Sequence, residues 1–324
     1  MSVREPVSYL LDIALNPPPK TINQRFEEIV CRFPDRVAFR LKTPEGYPTV
    51  SYRDAYRQSK GVALGLVAMG LQRGTRVAIL SENRPEWVVA YLGIYLAGMI
   101  AVPLDTQISP SEWRRLLDDS EAETVFVSGL LLPKLREAVK DSRPQRRLVC
   151  FDPVGGDRDA RTELGGLIDW ATSLTPSPSL PECQPSDVVS IIYTSGTTGT
   201  PKGVMLTQSN IVSELDSILR CIDADENDAL LCLLPLQHVL ASVINVLVPL
   251  YLGAQVVFAD TLKRSEILQA LEEAGITILV TVPQFFYLFH ERIQDELSKK
   301  PALVRKLFHG MLLLNRFCVR FLKV

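Results

Sequence analysis

Short apolar runs alternate with amphipathic stretches along the first part of the chain. The runs Arg76–Leu80, Met99–Val102 and Thr124–Val127 have the length and the apolar, β-branched character of buried strands. Helical patterns lie between them and begin near Pro85 and at Pro110, since proline suits the first turn of a helix. This β-α-β-α-β alternation predicts a parallel sheet with helices on both faces.

The alternation fades over residues 141–186, where six prolines and a Gly-Gly pair indicate a connector with one or two short elements. It then resumes as far as Ile293. The predicted strands are Asp187–Tyr193, Gly203–Thr207, Ala229–Leu234, Gln255–Phe258 and Thr277–Val282, and the predicted helices are Ser209–Cys221, Val239–Leu250, Ser265–Ala274 and Gln284–Ile293. An antiparallel hairpin of Val37–Leu41 and Thr49–Ser51 precedes both regions. The pattern therefore predicts an α/β protein with two helix-flanked, mostly parallel sheets.

A loop rich in glycine and threonine joins two of these strands. The sequence from Tyr193 to Gly203 contains three glycines, five Ser and Thr hydroxyls and one lysine, Lys202. Glycine lets backbone N–H groups approach an anion closely, and hydroxyls and a lysine suit phosphate oxygens. The common nucleotide loop has a lysine followed by Ser or Thr that opens a helix, whereas a strand follows here. We interpret the loop as a phosphate-binding turn; the alternative is a surface linker.

Composition narrows the class of protein. The chain has 324 residues, 47% of them hydrophobic, and a formal net charge of −2, which gives no general attraction to nucleic acid. Its six cysteines and three histidines show no metal-ligand spacing, so we expect free thiols in a reducing cytosol and no protein-bound metal. The uncharged runs at residues 87–104 and 230–259 are interrupted by Gly and Pro, which favours buried core over membrane spans.

The loop, with Asn210-Ile211 behind it, resembles the signature of the adenylate-forming superfamily. That family comprises acyl-CoA synthetases, luciferases and the adenylation domains of peptide synthetases. Four further segments resemble its motifs in the right order, namely Val50–Asp54, Leu96–Asp105, Leu234–His238 and Thr281–Pro283. The five matches together cover about residues 50 to 290.

The resemblance implies a two-step reaction. A carboxylate attacks the α-phosphorus of ATP to give an acyl-adenylate and pyrophosphate, and a thiol, usually that of coenzyme A, then displaces AMP. In the family, the loop holds the β- and γ-phosphates together with Mg²⁺. The residues implied here are Thr194, Ser195, Gly196, Thr197, Thr198, Gly199 and Lys202.

The resemblance also implies an acyl pocket and its gate at His238, Val239 and Pro283. For His238, the alternative is an ordinary histidine at the start of a helix. The aromatic residues after Pro283 are similar to those of long-chain fatty acyl-CoA synthetases, so a fatty acid is the expected substrate; an aryl or amino acid loaded on a carrier protein is the alternative. Gln208 stands where relatives usually have His, and it cannot titrate near neutral pH.

Three later features of the family have no match here: the Tyr-Gly-x-Thr-Glu motif, the Thr-Gly-Asp motif, and the small C-terminal domain with the catalytic lysine. We therefore expect residues 20–324 to be an incomplete N-terminal AMP-binding domain without a catalytic residue of its own. Its parts would be lobe one at about 50–140, a connector at about 141–186, and the phosphate loop with a second lobe at about 187–300. We expect weak or no turnover by this chain alone.

The sequence leaves open whether a second polypeptide is a partner. If this chain is one half of a split enzyme, a second polypeptide would complete it. A non-catalytic nucleotide-binding protein would need no such partner. Residues 303–324 combine an apolar helical stripe with basic residues, which indicates either peripheral contact with a membrane or a helix covered by other protein. The expected location is the cytoplasm, with or without such membrane contact.

Overall fold

The computed structural model describes residues 21–153, 162–194, 201–259 and 264–322. These fall into two compact units, which meet in sequence between Val280 and Thr281. The predicted phosphate-loop residues Ser195, Gly196, Thr197, Thr198 and Gly199 lie outside the described residues.

The strands, numbered in chain order, are β1 (Val37–Lys42), β2 (Thr49–Ser51), β3 (Arg76–Leu80), β4 (Ile100–Pro103), β5 (Thr124–Val127), β6 (Arg147–Cys150), β7 (Val188–Thr194), β8 (Lys202–Thr207), β9 (Ala229–Cys232), β10 (Gln255–Ala259) and β11 (Ile278–Leu279). The helices are α1 (Ile22–Arg32), α2 (Tyr52–Ala68), α3 (Pro85–Leu96), α4 (Pro110–Asp119), α5 (Leu132–Val139), α6 (Leu164–Ser173), α7 (Gln208–Leu219), α8 (Val239–Ser242), α9 (Val248–Leu252), α10 (Arg264–Glu273), α11 (Pro283–Ser298) and α12 (Ala302–Leu322).

The first sheet has the strand order β6-β5-β3-β4-β7-β8. Its strands are parallel except for β8, which runs antiparallel to β7. Val77 in the central strand β3 lies between Ala101 of β4 and Thr124 of β5. Strands β3, β4 and β5 are almost entirely buried, as expected for a parallel sheet that is covered on both faces.

The second sheet has the order β11-β9-β10-β1-β2. The predicted hairpin of β1 and β2 is present at its edge, and β1 continues the sheet by pairing in parallel with β10. Two mostly parallel, helix-flanked sheets are therefore present, and the predicted α/β class is confirmed.

The strands are distributed between the two sheets differently from the predicted lobes. Strand β7, which was placed with the second lobe, pairs with β4 of the first sheet through Ser190 and Ala101. Strand β1, which precedes lobe one in sequence, belongs to the second sheet. Hydrophobic periodicity identifies strands but not their neighbours, so the lobe boundaries drawn along the chain do not follow the hydrogen bonding.

The connector contributes more to the fold than its irregular sequence indicates. It contains β6, which closes one edge of the first sheet, and α6, which packs against α2. The helices approach closely because α2 has glycines at the contact. A β-carbon added at Gly61 would lie 2.7 Å from Ile168 Cγ2, and one added at Gly65 would lie 2.7 Å from Leu167 Cδ1.

The two uncharged runs form buried core elements. Residues 87–104 supply α3 and β4, and residues 230–259 run from β9 to β10. The helix predicted over Val239–Leu250 is α8 and α9 with an intervening π-helical turn, Val243–Leu247. Within the described ranges, no helix is both long and apolar enough to cross a bilayer.

Candidate functional site

Two loop regions that carry predicted site residues leave the carboxyl ends of parallel strands. The β7–β8 hairpin begins at the end of β7 in the first sheet, and the segment Pro235–His238 follows β9 in the second. Open α/β sheets characteristically bind ligands at the carboxyl ends of their strands. The loops after β3 and β4 hydrogen-bond to the Pro235–His238 segment, so the two sheets meet at this edge.

The hairpin sets its two outermost predicted residues side by side. Thr194 ends β7 and pairs with Lys202, the first residue of β8. Both side chains are exposed. Neither has a hydrogen-bond or ion-pair partner within the part of the chain that the structure describes. The hydroxyl and the ammonium group are therefore open to an external anion, and both are donors that suit phosphate oxygens.

A buried polar group fixes β7 beneath the hairpin. Ser190 is fully buried, and its Oγ lies 2.6 Å from Tyr95 Oη and 3.2 Å from Tyr91 Oη. Both phenols belong to α3, so their contacts tie the strand to that helix. Burial raises the pKa of both tyrosines above the usual value, which keeps both phenols protonated.

Two further contacts hold the hairpin close to its tip. Tyr193 Oη donates a hydrogen bond to the carboxylate of Asp119, at the end of α4. At Gly203, an added β-carbon would lie 2.8 Å from Ile191 Cγ2, so a larger residue would push β8 away from β7. The glycine next to Lys202 therefore keeps the two strands in close register.

Strand β8 leads directly into α7, where the signature residue Asn210 lies. Thr207 Oγ1 accepts a hydrogen bond from Asn210 N at 3.2 Å, and Asn210 Oδ1 accepts one from Thr207 N at 3.0 Å. This reciprocal cap satisfies backbone donors at the first turn of the helix. Asn210 thus has a structural role at the base of the hairpin.

Gln208, at the position where relatives usually have His, is also structural here. It is fully buried, and its Oε1 accepts a hydrogen bond from Ile22 N at 2.9 Å. Tyr251 Oη donates to Ile22 O at 3.2 Å. The backbone N–H and C=O of Ile22, the first residue of α1, therefore both have a side-chain hydrogen-bond partner. The sequence gives no signal for this contact, because it joins positions 186 residues apart.

The Pro235–His238 segment is positioned by a residue of the first sheet. Asn83, in the loop after β3, donates from Nδ2 to Leu234 O at 2.8 Å and accepts from Leu236 N at Oδ1 at 3.1 Å. The Leu236 side chain is buried and anchors the middle of the segment. One amide side chain therefore satisfies two backbone groups on either side of Pro235.

A second contact lies two residues further along the segment. Gln237 Nε2 donates to Asp105 Oδ1 at 3.2 Å, and the indole Nε1 of Trp113 donates to Asp105 O at 2.8 Å. The loop after β4 thereby touches both α4 and the segment. Sequence analysis found Gln237 and Asp105 only as members of two motifs, with no indication that they meet.

His238 and Val239 lie where the segment becomes α8. His238 is the residue before the first turn of that helix, and its backbone O accepts from Ser242 N at 3.0 Å. Both side chains are exposed, and His238 makes no side-chain capping bond. These two residues are therefore accessible at the same edge as the segment. Pro283 begins α11 in the other unit, and its assignment to the gate stays a prediction.

A charged cluster stabilises the far end of the same edge. Arg84 makes two hydrogen bonds to Asp152, at 3.0 and 2.8 Å, and a third to Glu86 at 2.8 Å. Asp152 also accepts from Gly129 N at 2.7 Å. Partial burial acts to raise the pKa of Asp152, but the bonds from Arg84 and Gly129 outweigh it and hold the pKa below its usual value. The cluster joins the loops after β3, β5 and β6.

The implied phosphate ligand and metal can be tested against these groups. The exposed Thr194 and Lys202 supply donors that fit phosphate oxygens. Among the described residues, no group of three or more His, Cys, Asp or Glu side chains is arranged to hold a metal ion.

Comparison with known proteins identifies the family of the chain. The family described as AMP-binding enzyme matches residues 26–318. The long-chain-fatty-acid–CoA ligase ACSBG2 of Xenopus laevis is 28% identical over 305 residues, which cover 90% of this chain and 41% of that protein. The long-chain-fatty-acid–CoA ligase FadD15 of Mycobacterium bovis is 33% identical over 264 residues, covering 78% of this chain and 42% of that protein. The chain thus spans less than half the length of these relatives.

Solved structures show the same fold. The inhibitor-bound N-terminal domain of FACL13 from Mycobacterium tuberculosis superposes with a TM-score of 0.68 at 24% identity, covering 83% of this chain and 65% of that one. The N-terminal subdomain of Klebsiella oxytoca NpsA, in complex with 3-hydroxybenzoyl-AMSN, gives 0.66 at 24% identity and covers 84% and 62%. The two sheets and the family match over residues 26–318 together show that this chain belongs to the AMP-binding enzyme family.

Proposed function

We propose that this chain supplies the phosphate-binding and acid-binding edge of an AMP-forming ligase that converts a fatty acid, ATP and coenzyme A to an acyl-CoA. The observation that carries the proposal is the β7–β8 hairpin, which pairs Thr194 with Lys202 and leaves both side chains open to an anion. The family match over residues 26–318 supports ATP as the source of that anion.

The first step breaks the bond between the α- and β-phosphates of ATP. A carboxylate oxygen of the acid attacks the α-phosphorus, and pyrophosphate leaves with its bonding electrons. Negative charge therefore grows on the leaving group, where Lys202, Thr194 and the loop residues 195–199 would stabilise it. Mg²⁺ bound to the phosphates would neutralise further charge.

The second step needs the acid to remain beside the phosphate site. The thiol sulfur of coenzyme A attacks the acyl carbon, and the bond to AMP breaks. In the proposed site, the exposed side chains of His238 and Val239 border the acid. A fatty acid is favoured because the two relatives described above are both fatty-acid ligases. His238→Ala should raise the KM for the acid and leave the affinity for ATP nearly unchanged.

The rest of the catalytic machinery would come from further polypeptide. The relatives are more than twice as long as the region they share with this chain. We propose that a polypeptide with the family's later motifs completes the adenosine site and brings the catalytic lysine. The complete enzyme would act in the cytoplasm.

The proposal is tested by ATP–pyrophosphate exchange. The chain would be assayed alone and together with a polypeptide that carries the family's later motifs and the catalytic lysine. Palmitate, benzoate or aspartate would serve as the acid. We expect little exchange by the chain alone, and palmitate-dependent exchange in the completed enzyme. Isothermal titration with Mg-pyrophosphate would measure phosphate binding by the chain alone.

The results separate the alternatives. Exchange that depends on benzoate or aspartate instead of palmitate would refute the fatty acid and retain the ligase. Phosphate binding without exchange in any completed enzyme would favour a non-catalytic nucleotide-binding protein. Folded protein that binds neither ATP nor pyrophosphate would refute the proposed site itself.

A further inference from the structure

The end of the chain differs in charge from everything before it. Residues 297–324 contain seven of the 35 Lys and Arg side chains and none of the 37 Asp and Glu side chains. The preceding residues therefore carry 28 basic and 37 acidic side chains. A short cationic segment on an otherwise acidic chain concentrates positive potential on one surface and favours an anionic partner.

Most of this segment forms the helix α12, which exposes an apolar side. Leu303, Leu307 and Met311 recur every four residues and are 70%, 60% and 70% exposed. That spacing places the three side chains along one side of the helix. Val304 is exposed as well and lies at the border of this stripe, which widens the apolar surface.

The basic side chains in the described part of α12 lie away from this stripe. At 3.6 residues per turn, Arg305 lies on the side opposite Leu307, and Lys306 lies at the boundary between the two sides. Both are exposed. His309 Nδ1 is 2.8 Å from Arg305 O, one turn away on the basic side. The helix therefore has an apolar side and a basic side, and both are open to solvent.

An anionic lipid surface matches both sides at once. The apolar stripe would enter the boundary between head groups and acyl chains, while Lys and Arg reach the head groups with their long stems. A helix that packs on other protein through its apolar stripe would leave the basic side in water, whereas an anionic lipid surface engages both sides. Since α12 is not apolar enough to cross a bilayer, it would lie in the plane of the membrane.

We propose that α12 is an interfacial helix that binds membranes containing anionic lipid. Two exposed aromatic residues of the same unit, Phe286 and Tyr287 on α11, agree with this partner, because aromatic rings are enriched at the level of the head groups. The inference does not rest on the proposed reaction, since membrane binding is measured without ATP, acid or coenzyme A.

Co-sedimentation with lipid vesicles tests the inference on the intact chain. Vesicles of pure phosphatidylcholine would be compared with vesicles of phosphatidylcholine and phosphatidylglycerol, at low and at high salt. We expect binding to the mixed vesicles only, and weaker binding at high salt because exposed charges are screened. Equal binding to both compositions would overturn the proposal, as would binding to neither by soluble, folded protein.

Paired variants separate the two sides of the helix. The double variant Arg305→Gln/Lys306→Gln removes two charges and should weaken binding to the mixed vesicles about thirtyfold. The double variant Leu307→Ser/Met311→Ser removes the centre of the apolar stripe and should weaken it about a hundredfold.

Matched controls lie on other exposed surfaces. Lys134→Gln/Arg136→Gln on α5 removes the same charge, and Leu130→Ser removes an exposed leucine before that helix. Both should bind as the unchanged chain does. If the α12 variants sediment with vesicles as well as the controls do, the helix is not the membrane contact. Circular dichroism would check that each variant is folded, and the lipid and salt comparisons test the unchanged chain in any case.

Discussion

The hairpin around Lys202 and the segment Pro235–His238 lie at the same edge of the fold but are held in different ways. The hairpin is fixed by its own sheet and covering helices, through Ser190 with the tyrosines of α3 and Tyr193 with Asp119. The segment belongs to the second sheet and is fixed by side chains from loops of the first, Asn83 and Asp105. One half of the site is therefore self-contained, whereas the other depends on how the two sheets meet.

This difference explains why the role of the hairpin is easier to recognise in the sequence than that of the segment. A loop whose own glycines, hydroxyls and lysine contact a ligand carries its chemistry in adjacent residues. A segment that is positioned by a distant asparagine carries only a short motif. Substitutions of the exposed hairpin side chains Thr194 and Lys202 should therefore affect phosphate binding with little effect on stability, and substitutions at the sheet junction should do the reverse.

The largest expected effect tests the hairpin. Lys202→Ala should weaken binding of Mg-pyrophosphate by about tenfold to a hundredfold, since a hydrogen bond to a charged group contributes roughly 1.5–3 kcal/mol. Isothermal titration on the intact chain measures it. Lys140→Ala, which removes an exposed lysine paired with Glu137, is the matched control and should change nothing. Equal affinity of the Lys202→Ala variant and the unchanged chain would remove Lys202 from the site.

The junction between the sheets is tested by Asn83→Ala. Loss of both hydrogen bonds leaves Leu234 O and Leu236 N without their partner, which should lower the free energy of unfolding by about 1–3 kcal/mol. Urea unfolding gives this value, and hydrogen exchange should be faster at the Leu236 amide. Phosphate binding should stay within about twofold, since Asn83 does not contact the hairpin.

A control for that variant is Asn227→Ala, which removes an exposed asparagine in contact with Arg36. It should change stability by less than about 0.5 kcal/mol. Unchanged protection of the Leu236 amide in Asn83→Ala would show that the segment keeps its position without Asn83.

Much of the fold was predictable because its strands are continuous apolar runs. Strands Arg76–Leu80 and Thr124–Val127 have the predicted bounds, and a helix begins at Pro110 as predicted. Helices α1 and α5 were not predicted, and β6 lay hidden in the Pro-rich connector. Assigning β7 to the first sheet needs its contact with β4, which periodicity along one chain does not contain.

The site was predictable to the extent that its residues lie together in sequence. Thr194 and Lys202 were identified by their neighbours, and the structure pairs them. Asn83 has no motif around it in the sequence. The backbone groups that it binds, Leu234 O and Leu236 N, are 151 and 153 residues away along the chain. Gln208 shows a further limit, because a residue at a signature position can serve packing instead of chemistry.

Tyr193→Phe tests the anchor of the hairpin and should have a smaller effect. Partial burial, and then the hydrogen bond to Asp119, raise the pKa of Tyr193 above its usual value. The stabilisation is therefore complete below the unfolded-state pKa of about 10 and is lost as pH rises through the folded-state value. The variant should be less stable by about 1 kcal/mol at neutral pH, with allowance for solvent screening.

Urea unfolding over a range of pH measures this difference. The gap between the variant and the unchanged chain should be constant from neutral pH to about 9 and should shrink above about 10. A gap that widens at high pH would contradict the assignment of Tyr193 as the donor. Phosphate binding by the variant should weaken slightly, because β7 loses one contact next to Thr194.

The smallest expected effect lies at the second contact of the segment. The hydrogen bond from Gln237 to Asp105 is partly exposed, so it should contribute only about 0.5–1 kcal/mol. A double-mutant cycle with Gln237→Ala and Asp105→Ala isolates this coupling from the other bonds that Asp105 makes, such as that from Gln107 N. If the cycle gives no coupling while Asn83→Ala is destabilising, the segment is held on one side only. His238 would then be free to move about the fixed Leu236, and a gate that opens from the His238 end would be favoured over a rigid wall.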